Sequence, residues 1–404
     1  MKIKKKCTIC NSIEIKKVID LGHSSLANKF VKKPSLKDQY PLIVDFCKKC
    51  KNLQLRNCVN EEVLFKNYTY STPNSSILDE HYSKIIKFLK KNHLLGKKNL
   101  LEIGCNNSYF LKKIQKHFQN LIGVDPAVKL NKNISNKITL IKKMFSLKLS
   151  QSKNFEKKFD IIIARHVLAH NSNPHKLLTA INKSISLNGY VIIENAYALS
   201  TFKNNEFDQI YHEHMFYYSI TSITNLFKYY DFRPIDIFMS KIHGGTFTIL
   251  FKKNELKFKP KIINIMSSEK KFLNYYFLNT LFNTNLELNK NKLSNYLRSL
   301  KSKNIKIGLY GASAKSFTFI NYLNLNYSNI DFAIDTTPIK IGSYYPNTDI
   351  KIFDELALKK LNYGAIIITA WNYKKEILKK SKNIFKKGTK LIFYVPKISY
   401  ITVK

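Results

Sequence analysis

Apolar residues recur every three or four positions through ILDEHYSKIIKFLKKNHL, residues 77–94, and this spacing predicts an amphipathic helix. From residue 98 the period changes. KNLLEIG, NLIGVD, FDIIIARHVLAH and NGYVIIENAY are short apolar runs that read as strands, the third running on into a loop. SYFLKKIQKHF and PHKLLTAINKSI carry helical spacing between them. Strands alternating with helices predict an α/β unit with a parallel, doubly wound sheet. SITNLFKYYDFRPIDIFM then reads as a helix and a strand, and HGGTFTILF, from His243, as a strand after a Gly-Gly turn. Residues 252–303 keep helical spacing with almost no turn signals and predict a long helical connector. A second alternation follows in IKIGLYGAS, NIDFAID, GAIIITAWNY and KLIFYVP, four strand candidates. No internal repeat is evident.

This pattern divides the chain into a small module over residues 1–65, an α/β domain over 66–240, and a C-terminal domain over 241–404 made of the connector and the second α/β unit. A length of 404 residues agrees with more than one core. A hydrophobic content of 44% excludes a disordered chain. No apolar run approaches the roughly 20 residues of a membrane helix, so no membrane insertion is expected. The start, MKIKKKCTIC, lacks the apolar stretch of a secretory signal, and a cytoplasmic location is expected. A monomer is expected.

The net charge of +41 raises the question of nucleic acid. Lysines, however, are spread over the whole chain, and arginine, the residue suited to bidentate phosphate and base contacts, is scarce. No specific nucleic-acid partner is expected. Attraction of anionic substrates such as nucleotides is.

Cys7 and Cys10 in CTIC and Cys47 and Cys50 in CKKC form two Cys-x-x-Cys pairs. Each pair aims two thiolates at one ion from a tight turn, and two pairs complete a tetrahedral site that suits Zn²⁺. A closed four-cysteine site holds shape and performs no chemistry. Disulfides fit poorly with a cytosolic chain.

LLEIGCNNSYF follows a strand and opens a helix. Gly104 stands where a ligand approaches the backbone, while Asn106, Asn107 and Ser108 replace the further glycines of a dinucleotide loop. One glycine suits a ligand with a ribose and no pyrophosphate. Asp125 ends the next strand, where a carboxylate accepts both ribose hydroxyls. Glu102, Gly104, Asn106 and Asp125 together look like an S-adenosylmethionine site. ARHVLAH carries His166 and His170 to the strand ends where open α/β sheets bind ligands. DQIYHEHMFYYS, residues 208–219, sets histidines, a glutamate and tyrosines close together shortly after a strand, as acid–base chemistry requires. His243 and Gly244 form a turn that can touch substrate. Lys315, at a helix start after a strand–glycine turn, is placed for a phosphate.

CTIC…CKKC, LLEIGCNNSYF, ARHVLAH, IYHEHMFYYS and LYGASAKS…DTTPIKIGSYYPNTDI…TAWNY together resemble the sugar C-methyltransferases. The resemblance covers nearly the whole chain. It implies a zinc-binding module, a class I methyltransferase Rossmann-like domain and a C-terminal α/β domain that binds a sugar nucleotide. It implies methylation at C3 of a nucleotide-linked 4-keto sugar through an enolate, in surface polysaccharide or deoxysugar biosynthesis, with S-adenosylmethionine as methyl donor. O-methylation of a sugar is the alternative. It further implies that Tyr211, Glu213 and His214 act in catalysis, His214 as base, with His170 facing the substrate. Either Tyr68 or Tyr70, in NYTYS, closes over the cofactor or the substrate. The chain departs from the family pattern at Ser108, His166 and Ser316, and HGGTFTI lacks an arginine after its glycines. The last two departures bear on how the nucleotide or sugar is held.

Overall fold

A computed structural model describes residues 1–65, 75–128, 135–255 and 258–404. The N-terminal module is an antiparallel sheet of Ile15–Ser25, Gln39–Cys47 and Leu53–Leu55. The stretch between the cysteine pairs contains two long strands. Register shifts at Lys17/Ile19 and Asp20/His23 break the two-residue period, so alternation does not reveal them. The sheet's fourth strand, Phe216–Tyr217, comes from the middle of the chain, with Phe216 opposite Gln54.

The central sheet has seven strands in the order Phe232–Ser240, Thr246–Lys253, Ile185–Ala196, Phe159–Arg165, Asn99–Ile103, Asn120–Val124, Ile138–Ile141. Residues 161–164 and 191–193 are fully buried, because helices cover both faces and leave these strands no wet side. Ser76–Lys91 forms the expected first helix, with Ser75 capping the Leu78 amide. The sheet is parallel except at Thr246–Lys253, which runs opposite to both neighbours, so a uniformly parallel sheet does not hold. That strand belongs to the central sheet although it lies beyond residue 240, where the sequence pattern closed the middle domain.

The connector is broken rather than continuous. Helices span Pro260–Glu269 and Asn283–Lys301, the latter entered through a π-helical turn at Phe277–Phe282. Glu269 ends the first helix by turning its carboxylate onto the start of Ile220–Lys228, accepting from the Ile220 and Thr221 amides at 2.7 and 2.9 Å. The last sheet is ordered Ile352–Phe353, Phe332–Ile334, Ile307–Tyr310, Ala365–Ile368, Lys390–Phe393, Ser399–Thr402. Its four inner strands match the sequence expectation. The edge strands escaped it, one being two residues long and the other half exposed. One buried cluster runs from Val44 and Phe46 through Phe202 and Ile210 to Phe317 and Ile320, joining the module's sheet to the C-terminal sheet. Among the described residues, no helix is long and apolar enough to cross a membrane.

Candidate functional site

The four module cysteines converge. Their sulfurs all lie within 4.8 Å of one another, with Cys7 and Cys50 at 3.4 Å and Cys10 and Cys47 at 3.6 Å. Each pair sits on a turn closed from Cys7 O to the Asn11 amide or from Cys47 O to the Lys51 amide, and Asn11 and Lys51 take positive φ to finish it. Four converging sulfurs, two from each turn, fit a tetrahedral zinc ion.

A cavity of about 1110 Å³ opens at the C-terminal ends of the central strands. It exceeds the common range of roughly 300–1,000 Å³ for one small ligand, so two can lie side by side. At one end lies the loop after Asn99–Ile103. Gly104 lines the cavity with φ +74°, and a Cβ there would stand 2.4 Å from Val167 Cγ2, so only glycine fits this turn at the cavity's edge. The Asp125 carboxylate accepts from the Asn106 amide at 3.0 Å and the Ala127 amide at 2.7 Å, which fixes its direction. Burial raises the Asp125 carboxyl and those two amides oppose the rise. A glycine cradle beside an oriented carboxylate fits S-adenosylmethionine.

Glu102 is a correction. It is fully buried and does not line the cavity. Its carboxylate pairs with Arg165 at 2.6 Å, and Arg165, stacked over the rings of Tyr82 and Phe110, is the group that reaches the cavity wall. Glu194 also reaches that wall and was not singled out in the sequence. It lies 2.7 Å from His81 Nε2 and accepts from Thr248 Oγ1 at 2.8 Å, with His166 Nε2 at 3.4 Å. Burial alone would raise this carboxyl, but the two histidines hold it well below its usual range. The only sequence signal for Arg165 and Glu194 is that each follows directly on a buried apolar run, residues 161–164 or 191–193.

At the other end stand His170, Tyr211, Glu213 and His214. His214 Nδ1 is 2.9 Å from the Gln209 carbonyl, which can only accept, so Nδ1 carries the hydrogen and Nε2 the lone pair. Tyr211 Oη, 2.7 Å away, therefore donates to Nε2. Burial, then the edge-on ring of His170 at 4.9 Å, holds His214 well below the usual imidazole range. Burial takes His170 down to about 4. Glu213 is pushed by burial up to about 7 and accepts from Asn28 Nδ2 at 3.0 Å. Asn28 belongs to the N-terminal module and went unnoticed in the sequence, since nothing local marks it. His212, in contrast, is 1% exposed and bonded to the Tyr40 carbonyl at 3.2 Å, a structural role.

His243 lines the cavity with φ +51°, and burial lowers it to about 3. Gly244 does not line it. A Cβ there would meet Glu206 Oε2 at 2.4 Å, so this glycine serves close packing, a correction to the substrate-contact expectation. Lys315 lines the cavity from the C-terminal sheet's side, its Nζ over the Trp371 ring and 2.8 Å from Asn372 Oδ1. Burial lowers its pKa, while Asp208 and Glu206 oppose the loss of charge. Tyr68 and Tyr70 lie outside the described residues.

Residues 241–396 match a family described as the C-methyltransferase C-terminal domain, 76–237 a methyltransferase domain, and 7–65 a zinc-binding domain. The chain is 23% identical over 407 residues to the C-methyltransferase NovU of Streptomyces niveus, covering 98% of this chain and 97% of that one. It is 30% identical over 127 residues to a tRNA U34 carboxymethyltransferase of Campylobacter jejuni subsp. doylei, covering 30% of this chain and 44% of that one. Among solved structures, the N-methyltransferase NodS of Bradyrhizobium japonicum with S-adenosyl-L-homocysteine aligns over 45% of this chain and 90% of its own, at a TM-score of 0.34 and 16% identity.

Proposed function

We propose that this chain, which belongs to the S-adenosylmethionine-dependent C-methyltransferases with a zinc-binding module, methylates the carbon next to the ketone of a nucleotide-linked keto sugar, at C3 of a 4-keto sugar, in surface polysaccharide or deoxysugar biosynthesis. The observation that carries this reading is the Tyr211–His214 pair, a phenol seated on the imidazole lone pair at one end of a cavity whose other end fits the methyl donor.

Gly104, Asn106 and Asp125 would hold the cofactor, with Arg165 on the adjoining wall. When bound, S-adenosylmethionine supplies an electrophilic methyl group. The work left to the protein is to make the sugar carbon nucleophilic. His214 Nε2 is the basic atom, kept so by the Gln209 carbonyl at Nδ1. The Tyr211 oxygen takes the proton from the sugar carbon as its own hydrogen passes to His214 Nε2, and the C–H electron pair moves to the ketone oxygen as an enolate. Such general base catalysis contributes on the order of 10²–10⁴-fold. Glu213, about half protonated at neutral pH, donates to the oxyanion, an effect worth about 3–4 kcal/mol. His170 beside His214 faces the same substrate end. Lys315, on the cavity wall, receives the diphosphate, and His243 borders the sugar.

The test is incubation of the zinc-loaded chain with S-adenosylmethionine and a panel of nucleotide-linked 4-keto sugars. A mass gain of one methyl and a carbon-bound methyl in the product NMR spectrum are expected. An oxygen-bound methyl, or no transfer to any keto sugar, would sink the reading.

A further inference from the structure

Between the module strands Ile15–Ser25 and Gln39–Cys47, residues 26–38 form a strap at the end of the hairpin opposite Cys47, and it runs to the C-terminal sheet. Leu26 and Ala27 are buried. Phe30 packs against the rings of Phe317 and Tyr345 at 5.0 and 5.3 Å. Val31 exchanges backbone hydrogen bonds with Tyr344, at 3.0 and 2.8 Å. Between these anchors Asn28 turns into the cavity and gives its Nδ2 to Glu213 Oε1 at 3.0 Å, across 185 residues of sequence. Its φ of +61° lies in the left-handed region that asparagine tolerates better than most residues. The strap is therefore held at both ends, and the amide between them is aimed by the backbone.

We propose that Asn28 is a positioning residue of the methyl-transfer site: through this amide the zinc-binding module determines which oxygen of Glu213 carries the proton. An N–H donated to Oε1 keeps that oxygen an acceptor, so a proton on the acid resides on Oε2. The carboxyl is thereby oriented as a donor at one atom. The inference rests on the assignment of Glu213 to the reaction. The other charged groups near Glu213 are Lys29 on the strap, which also favours the ionised form, and Lys315 and Lys340 on the cavity wall; Tyr211 and His214 adjoin it in its own segment.

Asn28→Gly deletes the amide while the backbone keeps a conformation glycine adopts freely. The full-length zinc-loaded chain is labelled with [¹³C]carboxyl glutamate, and the Glu213 resonance is identified by its loss in Glu213→Gln. In Asn28→Gly the titration midpoint of that resonance rises by about one pH unit, because a donor to the ionised form is gone. Turnover falls at least about tenfold, its pH profile moves the same way, and KM is little changed. Asn28→Asp, which preserves shape and sets a second carboxylate against the first, raises the midpoint further. An unmoved midpoint in either variant with zinc retained overturns the proposal, as does a moved midpoint with native turnover and pH profile. If the native chain methylates no keto sugar, the proposed function falls, while the carboxyl titration still decides whether Asn28 governs Glu213.

Discussion

At the scale of single residues, the site depends on which nitrogen of His214 bears hydrogen. Gln209 O decides it, and the consequence is a base that stays neutral far below physiological pH. His214→Ala should lower kcat by about 10²–10⁴-fold while leaving the S-adenosylmethionine Kd within about twofold, since the cofactor end lies on the far side of the cavity. Steady-state kinetics with calorimetry of cofactor binding separates these. Unchanged turnover would remove His214 from the base role. Sequence reasoning reached Tyr211, Glu213 and His214 because they crowd one segment. It missed Asn28, Arg165 and Glu194, whose partners lie 185, 63 and 113 residues away. It placed Glu102 and Gly244 at the cavity by the same limitation: a position in a motif does not say which way the residue faces.

At the scale of elements, the YHEH segment is a bridge between sheets. Five residues after Tyr211, the chain enters the module's sheet as Phe216–Tyr217, paired with Gln54 and Leu53. The cysteine cluster therefore lies in the same small sheet that anchors the proposed catalytic segment. Metal binding in such a module is coupled to its folding. One zinc per chain is expected by elemental analysis. Cys47→Ser should lose the metal, lower the Tm and reduce turnover at least about tenfold, because the strand after His214 loses its neighbour. A metal-free chain that remains folded and active would contradict this. The helix–strand alternation was legible because the inner strands are covered on both faces and need uninterrupted apolar runs. The module strands were not, since their bulges disrupt the two-residue period.

At the scale of the whole molecule, the buried titratable groups set the response to acid. His170 and His212 are lowered to about 4 and His243 to about 3, each by burial. In the unfolded chain they take up protons near their ordinary value of about 6.5, which the folded chain refuses. Stability is therefore lost as pH falls from about 6.5 toward these folded values. Glu206 and Glu213, raised by burial to about 7, act in the opposite sense between about 7 and 4.5, where the folded chain holds protons that the unfolded chain releases. The net loss should steepen below about pH 4.5, once the carboxyls of both states are protonated. His212→Gln, outside the proposed chemistry, removes one of the depressed histidines. The drop in unfolding free energy between pH 7 and pH 4.5 should shrink by about 2 kcal/mol in that variant. Urea unfolding at the two pH values measures it, and an unchanged drop would mean that His212 is not a neutral buried group.

The amino-acid order alone carried the α/β alternation, the two cysteine pairs, and the local groupings that put Gly104 and Asp125 forward for the cofactor and Tyr211, Glu213 and His214 forward for catalysis. Each of these is written in local spacing, which is set by the period of a helix or strand or by the reach of a turn. Only the tertiary structure decided that Glu102 turns inward to Arg165, that Gly244 packs on Glu206, and that Asn28 of the zinc-binding module meets Glu213. Those contacts join residues far apart in the chain, and their geometry is fixed by how the sheets pack. No period along the sequence encodes that.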